Sequence, residues 1–194
     1  MPFSKEKFLS FYKGNPYAEK AWDAVEAAYK KILSTCPTCH QPVQGQDVDP
    51  LVMAATMATI RTETGRTFNP NIKEIIDPVT AERNYGGRRD LGNTLPGDGA
   101  KFIGRGPSQM TGRFNYVKYG NLMGVDLINN PDLLLTPEYG FAAICHFFKE
   151  NGLIQLAKQS DWFKIRKIYN GLNRITGQPN GLDVFLKVLK DYLA

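Results

Sequence analysis

Two glutamates, Glu63 and Glu74, lie eleven residues apart with the polar stretch Phe68-Asn69-Pro70-Asn71 between them. Hydrolysis of a glycosidic bond with inversion needs two carboxyl groups across a groove. One supplies a proton to the leaving oxygen, and the other activates water on the opposite face. Glu63 emerges from an apolar run into a polar loop, so its carboxyl is expected to be partly desolvated, as suits a general acid. Glu74 follows after enough chain to turn and return across a groove, which makes it the candidate base. Asp77 and Glu82 remain open for that role. Further on, Gly104-Arg105-Gly106-Pro107 brings backbone close to a neighbour, with Gln109 and Thr111 just beyond it. Arginine can orient a carboxylate, while glutamine and threonine can hold a water or an acetamido group.

The elements that must position these groups read as mainly helical. Residues 5–13 and 17–33 space apolar positions three and four apart, consistent with an amphipathic helix pair. Cys36 to Gln46 reads as a loop. Asp49-Pro50 is a helix start, with the acid as N-cap and proline in the first turn. The run Leu51 to Ile60 is apolar nearly all round, so this helix should be buried. It delivers Arg61, Thr62 and Glu63 to its end, where Gly65 can terminate it. Between Asn84 and Gly106, seven glycines fall in 23 residues, which reads as a turn-rich stretch with a short irregular hairpin. Helix is expected again over 107–119, from Pro137 to Glu150, over 162–169 behind Asp161, and along the stripe Leu182, Phe185, Leu186, Leu189 and Leu193. One mainly α domain over 1–194 is expected, with residues 1–48 as an N-terminal helical portion and 49–194 as the catalytic core.

The formal charge of +5 is uneven: residues 61–118 carry ten basic against six acidic side chains. An anionic partner is indicated. No Lys/Arg run exceeds two residues and no nucleic-acid motif is present, so nucleic acid is not expected. No window approaches 18 consecutive apolar residues, so membrane insertion is not expected either. The start Met1-Pro2-Phe3-Ser4-Lys5 lacks the apolar core of a secretory signal, and synthesis in a cytosol is the expectation. Cys36-Pro37-Thr38-Cys39-His40 has redox or zinc spacing, but only Cys145-His146 could complete a zinc set, over a hundred residues away in an apolar run. No metal and no cofactor is expected.

Several blocks together resemble a known family. Glu63-Thr64-Gly65 after an apolar helix, the stretch from Tyr85-Gly86-Gly87-Arg88-Arg89-Asp90 to Pro96-Gly97-Asp98-Gly99, and Gly104-Arg105-Gly106-Pro107-Ser108-Gln109-Met110-Thr111-Gly112-Arg113-Phe114-Asn115-Tyr116 look like glycoside hydrolase family 19. That family contains chitinases and phage endolysins, and the resemblance runs over roughly residues 50–190. It implies a lysozyme-like, mainly helical, two-lobed fold with a small glycine-rich β region and a central cleft. It also implies Glu63 as general acid and Glu74 as base, with Thr111 beside the attacking water. Arg105, Gln109, Tyr116 and Asn170 are then implied to contact substrate. Thr62 stands where the family usually has histidine.

The expectation for function is a phage-type endolysin cutting β-1,4 bonds between amino sugars of peptidoglycan. It would be a monomer stored in the host cytoplasm and released to the wall through a membrane pore. Alternatives are a chitinase, a lytic transglycosylase needing one catalytic glutamate, and a non-catalytic glycan-binding protein on the same scaffold.

Overall fold

The computed structural model describes residues 2–34 and 47–194. The Cys36–Cys39 motif lies outside the described residues. The described helices are α1 (Lys5–Ser10), α2 (Ala18–Leu33), α3 (Pro50–Thr64), α4 (Pro78–Tyr85), α5 (Asp98–Lys101), α6 (Arg113–Met123), α7 (Pro137–Glu150), α8 (Leu153–Lys158), α9 (Trp162–Asn170) and α10 (Leu182–Leu193). The mainly α class is as the sequence indicates. The chain forms two compact units, Met1–Phe68 with Ile144–Ala194, and Asn69–Ala143, and α7 contributes residues to each.

The first unit is built around α3. Val52 through Ile60 are all buried, and α2, α8 and α10 pack against this helix. The Asp49 side chain accepts from the Leu51 amide at its start, and Gly65 ends it at φ 63°. The helix thus stops at Thr64, one residue after Glu63. A cluster of aromatic side chains closes one side of the unit: Phe3 stacks on Tyr192 at 4.6 Å, and Phe68 meets Tyr12 edge-on at 4.7 Å. The buried phenols are hydrogen-bonded, Tyr12 with Tyr192 and Tyr29 with Thr56, each at 2.7 Å, which removes the cost of enclosing them unpaired. Cys145 and His146 are packing groups: burial holds the thiol well above its usual value and pushes the imidazole below its own.

The second unit keeps its glycine-rich stretch together with ion pairs and isolated bridges rather than strands. Residues 84–106 contain a 3-10 turn (Arg89–Leu91) and the short α5. The β character lies at Lys73–Arg105 and Arg105–Met110. Residues 107–112 are not helical, because Gln109 and Gly112 take positive φ and α6 begins only at Arg113. Gly106 is required where it stands: its φ is 69°, and an added Cβ would lie 2.5 Å from the Leu134 carbonyl oxygen.

Asp98 anchors this stretch. Its carboxylate accepts from Arg113 Nε and Nη2 at 2.8 and 2.6 Å, and from the Leu95 amide at 3.0 Å. The two-pronged guanidinium contact holds its pKa below the usual carboxylate range. A depressed folded value contributes stability that is complete above the unfolded value, about 3.9, and is lost as pH falls through the folded one. Asp98→Asn should therefore lower stability at neutral pH by about 2 kcal/mol. It should also flatten the loss of stability below about pH 4, read by denaturant unfolding at a series of pH values. An unchanged acid limb in the variant would assign that limb to other carboxylates.

Candidate active site

Each unit carries a glutamate held by specific donors. In the first unit, Glu63 sits in the last turn of α3 with its side chain 23% exposed. Its Oε1 accepts from Arg166 Nη1 at 3.0 Å and faces Asn170 Nδ2 at 3.5 Å. Arg166 projects from α9 and is completely buried; its Nε and Nη2 both donate to the Asn180 carbonyl, at 3.2 and 2.8 Å. Asn180 in turn donates from Nδ2 to the Asn170 carbonyl at 2.9 Å. One guanidinium thus joins the end of α3, the body of α9 and the segment after it. Gly181 leaves room for this, since a Cβ there would be 2.9 Å from Arg166 Nη2. Thr62 turns its hydroxyl back to the Ala58 carbonyl at 2.7 Å, within its own helix.

In the second unit, Glu74 lies at the crossing of three short segments. Tyr85 donates to its Oε1 at 2.7 Å, and the Gly104 amide donates to its Oε2 at 3.0 Å. The Glu74 amide also donates to the Gly104 carbonyl at 2.9 Å, so backbone and side chain are fixed together. The carboxylate beside it raises the Tyr85 phenol above its usual value, which keeps that hydroxyl a donor at working pH. Gln109 packs on the same junction: its Nε2 donates to the Gly106 and Ile72 carbonyls at 3.0 and 3.3 Å. Its Oε1 sits where a Cβ on Gly104 would be 2.8 Å away, so a side chain at 104 would displace the Gln109 amide. Thr111 is half-buried and donates to the Gln109 carbonyl at 3.1 Å. Glu74, Gln109 and Thr111 therefore share one neighbourhood.

Two expected substrate contacts are corrected. Arg105 is 5% exposed and Tyr116 is fully buried. Arg105 donates to Asp132 at 2.6 Å, to the Lys101 carbonyl at 2.8 Å and to the Tyr116 hydroxyl at 2.9 Å. The Tyr116 hydroxyl donates in turn to the Ile103 carbonyl at 2.8 Å, and burial raises its phenol to about 12. Both side chains bind the unit together and offer nothing to a glycan. Two residues earlier on α6, Phe114 points outward and is largely exposed. The alternative bases are also occupied: Asp77 caps α4 through the Thr80 amide, and Glu82 accepts from the Gly97 and Ala100 amides. Arg166 and Asn180 were missed at the level of sequence. The available signal was a cation on the inward side of an otherwise apolar helix face, beside Ile165 and Tyr169. Among the described residues, no group of His, Cys, Asp and Glu is arranged to hold a metal ion.

Comparison with known proteins bears on this arrangement. Residues 83–158 match the family model of class I chitinases, glycoside hydrolase family 19. The resemblance to family 19 is borne out. Endochitinase 1 of Theobroma cacao is 47% identical over 51 residues, 26% of this chain and 16% of that protein. An inactive chitinase-like protein 1 of Hevea brasiliensis is 50% identical over 38 residues, 20% of this chain and 12% of that one. These alignments span only a small part of either relative. Chitinase C from Streptomyces griseus HUT6037 superposes with a TM-score of 0.66 at 22% identity, covering 98% of this chain and 74% of that chain. The superposition thus extends well beyond residues 83–158. Glu63, Glu74, Arg166 and Asn170 all lie outside residues 83–158.

Proposed function

We propose that this family 19-like chain hydrolyses β-1,4 glycosidic bonds between the amino sugars of bacterial peptidoglycan, as an endolysin. The observation that carries the reading is the Glu63 centre: a partly exposed carboxyl at a helix end, fixed by a buried arginine and faced by Asn170. In the proposed reaction Glu63 gives its proton to the glycosidic oxygen, and Glu74 takes a proton from water. The water oxygen bonds to the anomeric carbon from the opposite face as the leaving sugar departs with the Glu63 proton. Gln109 and Thr111 hold the water and an acetamido group, and Asn170 binds the N-acetyl sugar. The chain works as a monomer, from one catalytic domain, without metal or cofactor. It is made in the bacterial cytoplasm and reaches the wall through a pore formed by another protein.

Charge favours the anionic wall polymer over neutral chitin. The unit that holds Glu63 carries sixteen basic and eleven acidic side chains, whereas the other carries eight of each. The excess of residues 61–118 does not persist across the second unit, because Asp126, Asp132 and Glu138 balance it. The second reading, a chitinase, is favoured by the names of the relatives.

Mass spectrometry of fragments released from purified peptidoglycan tests the proposal, with colloidal chitin assayed in parallel. Reducing saccharide ends from peptidoglycan are expected, and NMR of the first product should show the inverted anomer. Anhydro ends would indicate a transglycosylase, and a retained anomer would remove Glu74 as base. Efficient release from chitin with walls left intact would replace the substrate.

A further inference from the structure

We infer that α9 and the segment that follows it form a docking surface for an anionic lipid bilayer, bordered at Asn170 by the Glu63 centre. Phe163, Lys164, Lys167 and Ile168 fall on one arc of about 140° at the 100° step of an α-helix. All four are exposed, while Ile165 and Arg166 on the opposite arc are buried. The surface continues into residues 171–178, where Arg174 and Ile175 are exposed. Ile175 is 94% exposed, Phe163 45% and Ile168 39%.

The segment is held in place. The Asn180 amide donates to the Gly171 carbonyl at 3.1 Å, Leu172 bridges Pro179, and the Asn173 side chain accepts from the Ile175 and Thr176 amides at 2.9 and 3.0 Å. A fully exposed isoleucine on an ordered turn is thus a standing presentation of apolar surface.

Among the described residues, Lys164, Lys167 and Arg174 make no ion pair, and Asp161 is engaged in capping α9 through the Lys164 amide. Unpaired cations alternating with aliphatic and aromatic side chains match the interface of an anionic bilayer. Headgroup phosphates take the charges there, and the acyl boundary takes the apolar tips. A glycan would meet the cations but offers no apolar medium for Ile175 and Ile168. No described helix is long and apolar enough to cross a membrane, so the association is peripheral.

The test is co-sedimentation of the full chain with vesicles of phosphatidylcholine, alone or with about one-third phosphatidylglycerol. Binding to the anionic vesicles only is expected. Lys164→Glu/Lys167→Glu and Ile175→Ser should each weaken it at least ~10-fold. Ile175→Ser alters a solvent-facing side chain and leaves the core untouched, and Ile175→Trp should shift its fluorescence to the blue on binding. Equal binding to neutral vesicles, no binding at low salt, or full binding by Ile175→Ser would overturn the proposal. So would substitutions that abolish binding to purified sacculi, measured in a Glu63→Gln background, while vesicle binding persists. That result would assign the surface to the glycan. Because vesicles contain no glycan, the outcome is independent of whether peptidoglycan is the substrate.

Discussion

Glu63→Gln is expected to lower turnover at least ~10²-fold, the usual scale for loss of a general acid, while the chain still folds. Glutamine keeps the shape of the side chain and an oxygen that can accept from Arg166 Nη1 and Asn170 Nδ2. It has no proton to give to a leaving oxygen. The measurement is the release rate of reducing ends from peptidoglycan, alongside far-UV circular dichroism to show that the helices persist. Stability should fall modestly, because buried Arg166 exchanges a charged acceptor for a neutral one while keeping its bonds to the Asn180 carbonyl. Activity within a few-fold of the parent in a folded variant would remove Glu63 from the chemistry.

The largest expected effect on stability belongs to Arg166→Met. Methionine fills most of the volume, but it leaves the Glu63 carboxylate and the Asn180 carbonyl without their donors. Removing one partner of a buried ion pair costs about 3–5 kcal/mol, and the partial exposure of Glu63 lowers the expectation here to about 3. Urea unfolding should show an earlier midpoint at an unchanged slope, the signature of lost stability without a change of two-state behaviour. Arg166→Lys should restore only part of the loss, since an ammonium cannot reproduce the fork that contacts both partners. Turnover should fall in Arg166→Met even where the chain is fully folded, because Asn170 and Asn180 are set through this side chain. A cost below ~0.5 kcal/mol would mean that water replaces the guanidinium at no penalty.

What could be read from the sequence was the chemistry of short range. Asp49-Pro50 and Asp161 announce helix starts because a cap acts within three residues, and the Asp49 and Asp161 carboxylates do accept from Leu51 and Lys164. The apolar run before Glu63 fixed the placement of that residue at a helix end. Direction and distance were not legible. Arg105 and Tyr116 have the residue types of a sugar site, but both are buried and bonded to one another, and no local pattern states which way a side chain points. Helix was expected over 107–112 because its composition permits it; the left-handed conformations at Gln109 and Gly112 exclude it. Arg166 escaped notice because its meaning lies in a carboxylate 103 residues earlier in the chain.

That separation has a consequence for the order of events during synthesis. A ribosome adding 5–20 residues per second needs roughly 5–20 s to travel from Glu63 to Arg166. Throughout that interval the glutamate already exists without the guanidinium and asparagines that fix it. Contacts of such long range form late, because the intervening loop must first be closed. A nascent or prematurely ended polypeptide would thus carry Glu63 in an unassembled state. The surroundings of Glu63 are therefore assembled only after α9 and Asn180 have been made.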